Sequence, residues 1–167
     1  TYDIGTKLIQ NKNNYDVLSR LIPKKINGIT KDKLERYWVA TNDGLYSIDK
    51  DLTTIDSFSA LRPVFSGLGD KITSIGIGKL GNIYIGTLQH GLLIFDINRS
   101  RFIEYQSDPY NLNSIPDNKI MSLLIDNGGT LWVGTKGSGV AVHSHYKYKF
   151  KLITQEPFKT TWLTNKY

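Results

Sequence analysis

Three histidines, fifteen carboxylates and twenty-one cationic side chains are the groups with which this 167-residue chain could do chemistry. Their spacing argues against most uses. His143 and His145 alternate and so share one side of an extended segment. A metal site requires three or four ligands, and no third candidate accompanies them. The chain has no cysteine. That excludes thiolate zinc sites, iron–sulfur clusters, disulfide scaffolds and cysteine nucleophiles together. There is no Gly-x-Ser-x-Gly elbow, phosphate-binding Gly-Lys-Ser/Thr loop or His-Glu-x-x-His pair, so neither a cofactor nor a catalytic centre is expected. Asp49, Asp96 and Asp126 recur at strand ends or turns, which suits a scaffold, whereas a catalytic group would be needed once.

What remains is hydrogen-bonding capacity in short polar stretches. These are Asn42-Asp43, Leu88-Gln89-His90, Lys136-Gly137-Ser138, and a longer run from Gln106 to Asn118 that includes Tyr110, Asn111 and Asn113. Amide, hydroxyl, imidazole and ammonium groups suit a hydroxyl-rich ligand, and the Tyr110 ring could stack on a sugar. The candidate binding residues are therefore Asn42, Gln89, His90, Tyr110, Lys136 and Ser138. Ordinary turn chemistry competes for each of them, since Asn, Asp and Ser also satisfy their own backbone.

The elements that must hold these stretches form an internal repeat. Ile26, Ile72 and Ile120 each open a copy, followed 12 residues later by Trp38, Tyr84 and Trp132, and two residues after those by Ala40, Gly86 and Gly134. Thr41, Thr87 and Thr135 close the same segment. Each copy holds four short runs rich in β-branched and aromatic residues, separated by turns such as Asp126-Asn127-Gly128-Gly129. All five prolines fall outside these runs. Four strands per unit of 40 to 50 residues predicts propeller blades. The fold class is thus all-β, a partial β-propeller of about three four-stranded blades. The units run approximately 25–70, 71–118 and 119–163, with 1–24 a leading strand and connector. In the third unit the strands are Ile120 to Asp126 innermost, then Leu131 to Thr135, Val140 to His143, and one near Lys147 to Ile153. Spare strands are expected around Leu8-Ile9 and Thr160 to Leu163. Trp132 and Gly134 then share a face, where a ring beside a missing side chain lets the next blade approach.

Composition fits a folded domain: 40% hydrophobic, 22% charged and 11% aromatic. No apolar run is long enough to span a bilayer, and the polar first residues do not read as a signal peptide. The formal charge of +6 is spread without a block of like charges, so it reads as a solvated surface and nucleic acid is not an expected partner. Three blades fall short of the four to eight with which propellers close, so both end faces would be uncovered. The chain is expected to belong to a larger protein or to close by self-association.

The third copy, Ser107-Asp108-Pro109-Tyr110-Asn111-Leu112-Asn113-Ser114-Ile115-Pro116-Asp117-Asn118-Lys119-Ile120 with Asp126-Asn127-Gly128-Gly129-Thr130-Leu131-Trp132-Val133-Gly134-Thr135 and Gly137-Ser138-Gly139-Val140, resembles the two-component regulator propeller repeat. The second copy has Tyr84 for Trp and lacks the turn Asp, and the first has Ala40 for Gly. The resemblance spans about residues 20 to 153. It implies the periplasmic sensor of a hybrid histidine kinase that detects oligosaccharides and controls polysaccharide use. Membrane attachment and kinase would lie in other parts of the parent chain. A protein-docking propeller without a small ligand is the alternative, and a propeller enzyme is weaker still.

Overall fold

The computed structural model describes residues 18–21, 24–42, 44–58, 71–143 and 150–153. Within them lie three four-stranded antiparallel sheets. The first comprises β1 (Ile26–Lys31), β2 (Tyr37–Thr41), β3 (Gly44–Ile48) and β4 (Ile55–Ser57). The second comprises β5 (Ile72–Ile77), β6 (Ile83–Thr87), β7 (Leu92–Asp96) and β8 (Arg101–Tyr105). The third comprises β9 (Ile120–Ile125), β10 (Leu131–Thr135), β11 (Val140–His143) and β12 (Phe150–Ile153). In every sheet each strand pairs with its sequence neighbour. The described residues therefore form three blades of a partial β-propeller. The expected spare strands at 8–9 and 160–163 lie outside the described residues, as do Asp43 and His145.

Strand alternation gives each blade two faces, and the blades stack face to back. Trp38, Ala40 and Leu45 of the first blade meet Ile72, Ile83, Ile85, Leu93 and Phe95 of the second in one buried cluster. The Trp38 ring lies 5.1 Å from Phe58 and 5.9 Å from Phe95, and Phe95 stacks on Phe102 at 4.5 Å. The opposite face of the second blade brings Leu92 and Ile94 against Leu131, Val133, Ala141 and Phe150 of the third. The middle blade is buried on both sides, which is why β7 is buried along its whole length and carries four consecutive apolar residues before Asp96 instead of alternating.

Small residues set the spacing between blades. A Cβ on Gly86 would come within 2.7 Å of Ile120 Cγ2 on the next blade and 2.5 Å of Ser74 Oγ on its own. Register also accounts for Ala40. Gly86 pairs with Ser74 and Gly134 with Ser122, but Ala40 pairs with Gly28. The first blade has moved its side-chain bulk across the ladder, and the Gly28 position is itself tight, its would-be Cβ lying 2.9 Å from Ile75 Cγ2.

Polar bonds reinforce each junction along the inner strands. Asn27 Nδ2 donates to Ile72 O, and Thr73 Oγ1, at the matching position, donates to Ile120 O, each at 2.7 Å.

Candidate functional site

The antiparallel order places the turns between second and third strands on one rim of the blades, together with the connectors from one blade to the next. The turns between first and second strands occupy the opposite rim. On the first rim a threonine clamp recurs. Thr87 Oγ1 donates to Gly91 O at 2.9 Å and accepts from His90 N at 2.9 Å. Thr135 likewise donates to Gly139 O at 2.8 Å and accepts from Ser138 N at 3.1 Å. Thr41 Oγ1 donates to Gly44 O at 3.0 Å. Gly91 has φ 73°, and a Cβ there would meet Tyr105 O at 2.3 Å, so glycine is required on both grounds. These bonds fix the loop backbones and leave the Gln89 and Lys136 side chains exposed. The sequence uses threonine at this position in all three copies, and that recurrence was the available signal for the clamp.

The candidate residues divide by environment. Gln89 and Lys136 are exposed on this rim. His90 is half-buried, with Nδ1 3.6 Å from Glu104 Oε1. Ser138 is half-buried, and its amide is held by the clamp. Asn42 is already engaged: its Oδ1 accepts from Asn27 Nδ2 at 2.7 Å, and the same nitrogen reaches the second blade. Lys136 N donates to Lys119 O at 2.8 Å and Gly91 N to Asn118 O at 3.0 Å, so the connector ends where the loops begin.

Tyr110 stands apart. Its side chain is 98% exposed and touches none of the other candidates, and Leu112 beside it is 95% exposed. The connector that displays them is nevertheless tightly bonded. Asp108 N donates to Ser114 Oγ at 3.0 Å, Tyr110 N to Asp108 Oδ1 at 2.9 Å, and Ser107 N to Asn118 Oδ1 at 2.7 Å. Ile115 anchors it in the core between the second and third blades. Asn113 O accepts from Phe150 N at 3.0 Å, so this connector runs beside the outermost strand before reaching the rim. Asp108, Ser114 and Asn118 thus do turn work, while Tyr110 and Leu112 are held outward.

On the opposite rim the turn aspartate has a partner that sequence reasoning missed. Asp32 Oδ2 accepts from Trp38 Nε1 at 3.0 Å, and Asp126 Oδ2 from Trp132 Nε1 at 3.1 Å. The recurring Asp-x5-Trp spacing was its signal. The second blade loses both members together, carrying Gly78 and Tyr84, and a Cβ on Gly78 would meet the Tyr84 ring at 2.6 Å. The exchange leaves a small cleft of about 170 Å³ lined by Lys79, Asn82 and Tyr84 with Gly128 and Gly129. Burial and the neighbouring Tyr105 raise the Tyr84 hydroxyl above its ordinary range. Burial opposes ionisation of Asp32, but the bonds from Trp38 and Arg36 outweigh it and hold the carboxyl below its usual value. Asp126 is lowered chiefly by the Trp132 bond.

His143 is buried in the core, its ring 4.8 Å from Phe150. No group of three His, Cys, Asp or Glu among the described residues is placed to hold a metal.

Residues 114–137 match the family described as two component regulator propeller. No curated protein matches the sequence. Two structures of one extracellular domain from B. thetaiotaomicron, described as a one component and as a hybrid two component system, are similar at 20% identity. Their TM-scores are 0.62 and 0.61, over 71% of this chain and 15% of theirs. The extracellular domain of a second hybrid two component system from that organism is similar at 23% identity and a TM-score of 0.51, over 70% of this chain and 14% of its own. This chain therefore spans about a seventh of the length of these structures.

Proposed function

We propose that this chain, whose third blade is a two component regulator propeller repeat, is a ligand-sensing portion of a periplasmic receptor that reads an oligosaccharide and biases a histidine kinase attached through the inner membrane. The observation that carries the reading is Tyr110, an unpacked aromatic ring on a connector whose backbone is fixed. With the backbone already held, only the side-chain torsions of Tyr110 remain to be ordered on stacking against a sugar. Gln89, His90 and Lys136 on the neighbouring rim supply donors and acceptors for hydroxyl groups, and the positive charge favours acidic over neutral glycans. Binding would bias the receptor only through unequal affinity for two arrangements of the blades or of their partners.

Saturation-transfer NMR against a panel of acidic and neutral oligosaccharides tests this. A binder is expected, with affinity falling at least tenfold in Tyr110→Ala and in the Gln89→Ala/Lys136→Ala double variant. All three positions are exposed, so the fold should be unchanged. Equal affinity in all variants would remove these residues from the site. The second reading, a docking surface for a protein, is favoured by Leu112, which offers a sugar nothing. It would be supported if no glycan binds and Leu112→Asp abolishes capture of a defined protein partner.

A further inference from the structure

We propose that the cleft between the second and third blades, on the rim opposite the one that carries Gln89 and Lys136, binds the carboxylate of a small acid. The three blades differ at this turn in one respect. In the first blade the Asp32 carboxylate caps its own turn: Oδ1 accepts from Leu34 N and Arg36 N at 2.9 Å each, and Oδ2 from Trp38 Nε1 at 3.0 Å. Asp126 acts likewise in the third, accepting from Thr130 N at 2.9 Å and Trp132 Nε1 at 3.1 Å. The second blade keeps the backbone of this turn. Gly78 N donates to Asn82 O and Gly81 N to Gly78 O, as Asp32 N does to Arg36 O and Glu35 N to Asp32 O. It has glycine, however, where its neighbours have the carboxylate. The corresponding donors are Leu80 N, Asn82 N and, in place of the indole, the Tyr84 hydroxyl. None of the three bonds an acceptor among the described residues.

The cleft of about 170 Å³ opens at these donors. The Tyr84 ring covers Gly78, where a Cβ would meet it at 2.6 Å, so a guest carboxylate sits at the mouth of the turn and not in the aspartate's own place. Burial keeps the Tyr84 hydroxyl protonated and therefore a donor. The facing wall is the Gly128-Gly129 turn of the third blade, which has no side chain to close the gap, and the Lys79 stem lies 3.1 Å from the open position of Gly129. The Lys79 ammonium pairs with no carboxylate among the described residues. Lys33 Nζ donates to Lys79 O at 2.8 Å and brings a second cation to this rim. Asp126 is the opposing charge nearby, 3.0 Å from the open position of Gly128, but its oxygens are committed to Trp132 and Thr130. An ionised carboxylate only accepts hydrogen bonds, so it suits a site of donors beside two lysines better than a neutral hydroxyl compound does. The turn itself favours carboxylate over phosphate, because in both neighbours the same backbone holds a planar two-oxygen group. The cleft is smaller than the ~300 Å³ at which drug-sized pockets begin, so the guest is a simple organic acid or a single sugar acid. The site lies apart from Tyr110 and does not rest on the sensing role of that residue.

Backbone amide NMR of the isotope-labelled chain, titrated at fixed pH and ionic strength with acetate, glucuronate and glucose, tests the site. Both acids should shift Leu80 and Asn82 saturably, and glucose should leave them in place. Tyr84→Phe and Lys79→Gln should each weaken binding at least about threefold, the loss expected for one hydrogen bond or charge contact. The double variant Gly78→Asp/Tyr84→Trp gives the second blade the pair its neighbours carry. It should abolish binding, because the turn then holds its own carboxylate. If that variant does not fold, Tyr84→Phe decides alone, since it removes one oxygen and keeps the ring. Equal affinity for the two acids makes the carboxylate the whole of what is recognised, and tighter glucuronate binding adds the sugar ring; either result supports the site. No saturable shift with either acid overturns it. So do shifts confined to the Gln89 and Lys136 rim, tighter binding of inorganic phosphate, or wild-type affinity in Tyr84→Phe.

Discussion

Trp38 and Trp132 hold the same place in their blades, each donating to the turn aspartate six residues before it and each lying two residues before a small one, yet one is wholly buried and the other 37% exposed. The difference lies in the neighbour stacked on each ring. The second blade stands over Trp38, and Phe95 from it completes the cluster with Phe58. Over Trp132 no further described blade stands. The comparison separates two jobs that one motif does: the Asp–Trp bond belongs to the single blade, and the ring's apolar contribution is realised only when the next blade arrives.

The largest expected effect breaks the buried member. Trp38→Ala should cost about 3–5 kcal/mol, the range for deleting a buried large aromatic, with Asp32 left short of a donor as well. Trp132→Ala, measured by urea unfolding at concentrations where the chain is monomeric, should cost less than half as much. Equal losses would mean that the bond to aspartate, and not burial, sets the value of the ring.

An intermediate effect comes from the hollows. Gly86→Ala forces a methyl against Ile120 and Ser74, and overpacking of this kind costs about 1–3 kcal/mol. Adding Ser74→Gly, which reproduces the Gly28–Ala40 pairing, should recover part of it. Gly134→Ala should be milder, since only the rotatable Ser122 hydroxyl stands in its way. Similar costs at both positions in the monomer would deny that the blade junction sets the small-residue requirement.

The smallest effect is electrostatic. Both Asp32 and Asp126 titrate below the usual 3.8 in the folded chain. A carboxyl lowered by folding contributes stability that is fully present above its unfolded value and is lost as pH falls through the folded one. Unfolding free energy should therefore decline below about pH 4. Asp32→Asn and Asp126→Asn should each flatten that decline, Asp32→Asn more so because Arg36 also pairs with it. An acid limb unchanged in both variants would assign the loss to other carboxylates.

Much of this architecture was legible in the residues. The common spacing from isoleucine to aromatic to a small residue (Ala40, Gly86, Gly134) marked the repeat, and short β-rich runs between turn residues located β10 and β11 to the residue. Local pattern suffices there because every strand pairs with its sequence neighbour. The partners of Asp126 and of Ala40 were not read, although both are implied by spacing, because they are relations between strands in register and not properties of one strand. The binding candidates were read least well. Asn42 and Tyr110 are both polar loop residues in sequence, but one is bonded to Asn27, which itself reaches the next blade, and the other stands in solvent. That distinction depends on the path of the connectors, and turn composition does not encode it.

The meander within each sheet has a kinetic consequence. Every strand pairing closes a loop of a few residues, so a blade gains its hydrogen bonds from contacts near in sequence, at lower contact order than interleaved β-sandwiches require. Only the docking of one finished sheet on another joins distant segments. Blades should thus zip individually and dock afterwards. The slow step should then answer to Ile72, Ile120 and the small residues opposite them more than to any turn.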